Sequence, residues 1–397
     1  MKTNHLSRRT FIQHGLKVAA GAPLALGLGA TRLLGAESLP GTGVVPAPGR
    51  RADAKVAIVA CRSYGPELHP ALEKCFDLLG GIGSLVKDKT VTVKLNLTNG
   101  SFATFLGRSP GETFMTHPAT VMALCTVLFA AGARRVRLVE SMPSRAELAS
   151  SLALGDWDMK AFESLGKVEC ENTRNLGLGK SYAHLRVAGS GYMFSAFDLN
   201  HAYAQTDVMI SLAKLKQHLA TGITLSMKNM FGITPNSLYG SQAGSEDATG
   251  GRQPLHSPRG FEKIHPPGLK EGITSIEPGW RVPRVTVDIC AARPVHLAIV
   301  DGITAMSGGE GPWCGEAGVL KPTAPGVLIA GLNPVSTDAV GAAVMGFGNP
   351  RVMRGVKPFQ FCDNQLLLAE QAGVGTADLA QIDLRGLPIE KVLYPYG

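Results

Sequence analysis

The chain has 397 residues, 45% of them hydrophobic and 18% charged, with 39 Lys and Arg against 31 Asp and Glu. The formal charge of +8 is concentrated at the amino terminus: Lys2, Arg8, Arg9, Lys17 and Arg32 lie within residues 1–36, which hold no acid, so the remainder is near +3 (34 basic minus 31 acidic). That balance, with no basic run interleaved with aromatics, argues against nucleic-acid binding, and the length suffices for one large α/β domain or two smaller ones.

Ser7-Arg8-Arg9-Thr10-Phe11-Ile12 reads as a twin-arginine export signature. The stretch behind it, Gly15 to Ala30, is weakly hydrophobic, glycine-rich and interrupted by Lys17. It is too short and too rich in glycine for a membrane span. Residues 1–36 are therefore expected to engage the twin-arginine translocon and direct the protein to the periplasm. Gly29-Ala30 and Gly35-Ala36 are the candidate cleavage points, and membrane attachment is expected only if the signal stays uncleaved. Residues 37–54, rich in Pro and Gly, read as a linker.

Beyond it, Lys55 to Cys61 reads as a strand and Pro66 to Leu79 as a helix closed by Gly80-Gly81. Thr90 to Leu95 is a second strand, Pro118 to Ala131 a helix opened by His117-Pro118, and Arg134 to Val139 a third strand. Arg145 to Leu165 reads as mostly helical. The apolar run Asp207 to Ala213 reads as a buried strand, and Thr221 to Phe231 as a helix with Gly232 as its C-cap. Residues 234–283, rich in Gly, Pro and Ser, read as a long insertion or lid carrying His256 and His265. The sheet is expected to resume with Arg284 to Cys290, His296 to Val300 and Gly326 to Ala330, followed by a helix from Pro334 to Phe347. This alternation predicts one α/β domain over 55–397, a mainly parallel sheet with helices on both faces.

The strongest chemical signal is Lys214-Leu215-Lys216-Gln217-His218, at the end of the buried strand. Alternation along a strand would point Lys214, Lys216 and His218 to one side. Two ammoniums and an imidazole there call for an anion or carboxylates to answer them. Lys228 falls off the apolar stripe of Ile223, Met227, Met230 and Phe231, which leaves it and the adjacent Asn229 free to face a cleft. Lys94 and Asn96 end the second strand, Glu140 the third, and Asp301 the strand from His296. His117 precedes a helix N-terminus, an anion-friendly position that a capping histidine would also occupy. The loop Met306 to Pro312 is glycine-rich, and Asp338 lies one turn into the last large helix, where it favours the helix dipole. The competing reading of the lysines is that they are solvated surface charges. Convergence of these residues at strand carboxyl ends favours a site. The seven cysteines include no Cys-x-x-Cys pair and sit mostly in apolar patterns. They read as inert core, and a cysteine-ligated iron–sulfur cluster is not expected.

Together, Lys94-Leu95-Asn96, Thr116-His117-Pro118 with its helix to Gly132, Lys214-Leu215-Lys216-Gln217-His218, Thr221-Gly222, Lys228-Asn229-Met230-Phe231-Gly232, the expected strand holding Asp288, Asp301-Gly302-Ile303, Gly311-Pro312, Pro334-Val335 and Asp338-Ala339 resemble the domain-of-unknown-function family numbered 362. The resemblance spans roughly residues 55–390. It implies a fold and a site but no settled reaction. Some relatives append a cysteine-rich cluster domain that this chain lacks, and Asn333 stands where the family usually has Asp. A shorter stretch is similar to nickel-pincer lactate racemases: His218 and Lys228, ten residues apart with Gly222 between them. That similarity implies a lysine-borne cofactor and a histidine base, although Ile223 to Ser226 lacks the racemases' paired glycines.

The sequence thus predicts an exported enzyme acting on a small anionic or carboxylate-bearing substrate. Lys94, Asn96, Lys214, Lys216 and Asn229 would bind it, while His218, His117, Lys228, Glu140 and Asp301 would carry the chemistry. A metal ion is compatible with the acids and histidines, and the cofactor stays open. The alternative is a periplasmic anion-binding, cofactor-binding or redox-accessory protein without turnover. Replacing Arg8 and Arg9 together by Lys should hold the precursor in the cytoplasm, read by fractionation; unchanged export of the double variant overturns the signal reading.

Overall fold

The computed structural model describes residues 54–98, 104–105, 107–143, 145–257, 265–315 and 319–397. The twin-arginine segment and the linker up to Asp53 lie outside the described residues. Eight strands form one sheet: β1 (Lys55–Ala60), β2 (Thr90–Lys94), β3 (Arg135–Glu140), β4 (Val168–Asn172), β5 (Val208–Lys214), β6 (Leu297–Gly302), β7 (Val327–Gly331) and β8 (Asp383–Gly386). Their spatial order is β8-β1-β7-β6-β5-β2-β3-β4. Neighbours run parallel at β8–β1, β6–β5, β5–β2, β2–β3 and β3–β4. Only β7 runs against both of its neighbours. The fold is therefore α/β with a mainly parallel sheet.

The apolar runs arise because the central strands are covered on both faces. Every residue of β5 is buried. Val208, Ile210 and Leu212 pack on one side with helices α1 (Leu68–Leu79) and α2 (Pro118–Ala130). Met209 packs on the other side with α3 (Leu225–Met230), α4 (Pro278–Ala292), α5 (Pro334–Val344) and α6 (Gln365–Gln371). Two cores thus clamp the central strands.

The segment Arg284 to Cys290, expected as a strand, lies inside the helix α4. Its Val and Ile residues look strand-like, yet this helix is buried almost all round, so burial overrides β propensity. Asp288 accepts hydrogen bonds from the backbone N–H groups of Tyr192, Met193 and Phe194 at 2.6, 2.6 and 2.8 Å. The expected helix from Thr221 begins only at Leu225. Before it, Gln217–His218 and Gly222–Ile223 form a short antiparallel ribbon, with Gly222 at φ +73. Phe231–Ile233 continues as a 3-10 turn, so Gly232 is not a C-cap. A Cβ at Gly232 would lie 3.3 Å from Lys94 Nζ, and the glycine is there for close approach. Arg145 to Leu165 divides into two short helices, Leu148–Leu154 and Met159–Ser164. The segment 234–283 holds short helices at Asn236–Tyr239 and Gln253–His256 and the first residues of α4.

Asp338 fixes where α3 starts. Its carboxylate accepts from the Ser226 N–H at 2.8 Å, the Ser226 hydroxyl at 2.5 Å and the Met227 N–H at 2.8 Å. A residue on α5 thereby supplies the N-terminal cap that α3 lacks locally. Asp338→Ala leaves these buried donors unpaired and should cost about 1–3 kcal/mol for each donor not rescued by water. Urea denaturation reads this, and an unchanged midpoint contradicts it.

Candidate functional site

At the carboxyl ends of β2, β3, β5 and β6 the candidate residues fall into three neighbouring groups. In the first, Lys214 and Asp301 face each other in the parallel register of β5 and β6. Lys214 Nζ donates to Tyr64 Oη at 2.6 Å, Thr304 O at 2.8 Å and Asp301 Oδ2 at 3.2 Å. Thr120 Oγ1 and the Ile303 N–H also donate to Asp301, each at 3.1 Å. Tyr64 stacks on His117, with ring centroids 3.5 Å apart. His117 Nδ1 accepts the Ala119 N–H and caps α2. Burial, then the charge of Lys214, pushes its pKa down to about 4. All three protons of the Lys214 ammonium are used, so this group is a closed ion-pair network.

The second group joins β2 to β3. Lys94 Nζ donates to Glu140 Oε1 at 2.5 Å and Leu95 O at 2.7 Å. Glu140 also accepts from the Leu97 and Ser141 N–H groups at 2.7 and 2.9 Å. Asn229 on α3 reaches back, donating through Nδ2 to Ser211 Oγ at 3.0 Å and Lys94 O at 3.2 Å. Asn96 Nδ2 donates to Asn229 Oδ1 at 3.2 Å, while Asn96 Oδ1 is buried with no partner among the described residues. Lys94 and Glu140 form a buried pair whose partners are mutual.

The third group is different. Lys216 Nζ is buried and donates to Phe114 O at 2.5 Å and Glu310 O at 3.0 Å. Lys228 Nζ sits 4.1 Å above the Phe231 ring and, among the described residues, has no hydrogen-bond acceptor. Burial brings the pKa of both lysines down to about 7. Burial also lowers His218 to about 3 and His256 to about 4. Burial opposes the Glu310 charge, but His218, the Leu219 N–H and the Cys314 thiol outweigh it and hold that carboxyl at about 2. Lys228, His218, His256 and Glu310 are each only part-buried. Protein surrounds them on most sides while water still reaches them, and this part-exposed patch is the candidate cleft.

Backbone contacts fix the two histidines of this cleft in opposite states. The Ala220 N–H donates to His218 Nδ1 at 3.0 Å, so neutral His218 carries its proton on Nε2. His256 Nδ1 lies 2.9 Å from Arg252 O, which can only accept, so His256 Nε2 is left as a lone-pair acceptor. Arg252 is itself tied to Thr234 O and Gly232 O at 2.8 Å each. The cleft therefore holds one fixed donor and one fixed acceptor.

The expected single face of Lys214, Lys216 and His218 is corrected on one point. β5 ends at Lys214, and the chain turns before His218 instead of continuing the alternation. The three side chains consequently reach different partners. Lys94, Asn96, Asn229 and Glu140 join in the second group, and His117 and Asp301 join in the first. Tyr64, Glu310, His256 and Arg252 complete these groups and were not among the expected site residues. Glu310 sits in the glycine-rich loop and His256 in the insertion, so their segments were marked even though their roles were not. The cysteines among the described residues are free, with Cys314 hydrogen-bonded to Glu310. Among the described residues no three His, Cys, Asp or Glu side chains converge as a metal-ligand set. A metal centre built from side chains alone does not fit them.

The sequence profile of the family described as Domain of unknown function (DUF362) matches residues 91–343. Thylakoid-associated protein sll1697 of Synechocystis sp. is 27% identical over 187 residues, covering 46% of this chain. The chain spans about half (51%) of the length of that curated relative. Among solved structures, a protein from Thermotoga maritima overlaps 62% of this chain and 51% of its own, at 13% identity and a TM-score of 0.35. The lactate racemase apoprotein from Thermoanaerobacterium thermosaccharolyticum overlaps 64% of this chain and 50% of its own, at 10% identity and a TM-score of 0.33.

Lysines of the closed and open groups should respond oppositely to replacement. Lys94→Met strands Glu140 and is expected to cost about 3–5 kcal/mol. Lys228→Met removes a cation with no acceptor and should not destabilise. Its ordinary pKa of 10.5 falls to about 7 in the folded chain. The wild-type handicap is thus absent above the ordinary value, builds as pH falls through this window, and is complete below it. Denaturation midpoints across that pH range test this, and a Lys228→Met variant as unstable as Lys94→Met refutes it.

Proposed function

Because the chain belongs to the DUF362 family, whose definition carries no reaction, we propose a function from the site itself: an exported enzyme acting on a small anionic, carboxylate-bearing substrate. The observation that carries this reading is the Lys228 ammonium, held in a part-exposed cleft without an acceptor. Among the described residues, Lys94, Lys214, Lys216, Lys228 and Arg252 line this edge, and Glu140, Asp301 and Glu310 answer three of the five. Below about pH 7, where Lys216 and Lys228 are both protonated, the excess of two positive charges calls for an anion. Export is supported by the arginine pair at Arg8-Arg9.

A carboxylate entering the cleft would bring Lys228 the charge-assisted partner that it lacks. Lys216 is fully buried and adds positive field without direct contact. The His218 Nε2–H would polarise an oxygen of the substrate, and His256 Nε2 would accept a proton. Asp338 and the pairs Lys94–Glu140 and Lys214–Asp301 hold the elements that carry these groups. His117, Glu140 and Asp301 are therefore positioning residues in this reading.

Calorimetric titration of the purified chain with acetate and with phosphate tests the anion site. Affinity should fall as pH rises through about 7, where Lys216 and Lys228 lose their protons. Lys228→Met should weaken binding by about tenfold or more, the worth of one charge-assisted contact. Equal affinity in wild type and variant sinks the reading.

A further inference from the structure

We propose that the segment 353–361 docks the folded domain on a lipid surface, its apolar side chains entering the bilayer interface and a neighbouring cation meeting anionic headgroups. Among the described residues eight large hydrophobic side chains are exposed, and four of them meet here. Met353 (71% exposed), Val356 (51%) and Phe361 (57%) lie on the segment, and Ile276 (69%) lies beside it. An apolar residue exposed singly is ordinary, whereas a cluster marks a surface that something covers. The cluster is contiguous. Arg354 donates to Glu277, the neighbour of Ile276, at 3.1 Å. The Asp363 N–H donates to Gly279 O at 2.8 Å, and a Cβ at Gly279 would collide with Phe361 O.

The segment is held firmly while its apolar tips point outward. Phe359 and Cys362, on either side of Phe361, are buried in the core. Asn364 Nδ2 donates to Pro350 O at 2.7 Å and Val352 O at 2.9 Å, which fixes the other foot. The Val356 N–H donates to Met353 O at 3.3 Å and the Gly355 N–H to Phe359 O at 3.1 Å, so the chain between the feet folds on itself. The protrusion is therefore preformed, and docking spends little on ordering it.

Charge selects the occupant. From Gly348 to Cys362 the chain has Arg351, Arg354 and Lys357 and no acid. Arg351 is paired with Glu370 and Asp378, and Arg354 with Glu277 and Asp363. Lys357 is exposed and has no ion pair among the described residues. A second copy packed on the same surface about a two-fold axis would set like cations against each other. Anionic headgroups instead answer Lys357, while Met353, Val356 and Phe361 enter the apolar boundary and the long lysine stem keeps its charge at headgroup level. The ribbon that carries His218 lies against the segment, since a Cβ at Gly222 would be 2.7 Å from Pro358 O. Leu219, at the turn of that ribbon, is itself 42% exposed. Docking thus brings lipid beside the ribbon, whether or not the cleft binds an anion.

The test is flotation of the full chain with vesicles of phosphatidylcholine, alone or mixed with phosphatidylglycerol. Wild type should float best with the mixed vesicles. Met353→Ser combined with Phe361→Ser should weaken binding by about tenfold or more, the effect of losing two apolar side chains from the interface. Lys357→Gln should weaken it about fivefold on mixed vesicles and leave neutral ones unaffected. These side chains are exposed, so the unfolding midpoints of the variants should match wild type. A lipid-borne diazirine, with the photoproducts mapped by mass spectrometry, should label residues 353–361 and so separates this surface from residues 1–53, which all the chains share. No flotation, or flotation with residues 353–361 unlabelled, overturns the proposal. So does an apolar variant that floats equally and takes equal label there. Self-association that the apolar variant abolishes, without flotation, assigns the surface to a second copy and overturns it too. Acetate titration should be the same in wild type and variants, so failure of lipid docking leaves the anion reading standing.

Discussion

Taking ammonium groups out of water is costly, and the carboxyl edge of this sheet is organised around that cost. Lys94 and Lys214 are buried, and each is matched by a carboxylate on the adjacent strand, Glu140 and Asp301. The matching follows from parallel pairing, because neighbouring parallel strands end at the same edge and side chains of like register face each other across it. Once those pairs are closed, the ends of four strands are bound together. Lys216 and Lys228 are then the groups whose charge the protein answers less fully, and of the two only Lys228 is reached by water.

Positioning in this region comes from carboxylates that accept backbone N–H groups. Asp338 caps α3 from α5, and Asp288 gathers three consecutive N–H groups from α4. Burial raises both, Asp288 to about 6 and Asp338 to about 7. The histidines follow the same logic in smaller form. Each has one ring nitrogen assigned by a main-chain group, which leaves the other nitrogen with a defined hydrogen-bonding state. A site built in this way is orientated by its backbone, and its side chains have little freedom to exchange roles.

Much of this was legible in the sequence. The α/β class followed from the alternation of apolar runs and capped helices, since such periodicity reports directly on burial. The residues at strand ends were legible because a polar group directly after a buried apolar run has few places to go. Other features were not legible. Arg284 to Cys290 carries the valines and isoleucine of a strand, and only the surrounding core makes it a helix. The start of α3 depends on Asp338, more than a hundred residues away. The separation of Lys214 from Lys228, one closed and one open, depends on Tyr64 and Thr304, which no local pattern connects to either lysine. The roles of His218 and His256 depend on single backbone contacts, and composition is silent about those.

The reversed strand β7 has a consequence for how such a protein changes over time. Val327 pairs with Gly302, so the chain leaves the sheet at the end of β6 and re-enters it beside its point of departure. The segment carrying Glu310 is thus a closed excursion with both feet on one rung of the ladder. Its far part can change without shifting the register of any strand, while Thr304 O and Glu310 O tie its near part to Lys214 and Lys216. Selection can then rewrite the outer part of this excursion and leave the inherited frame untouched.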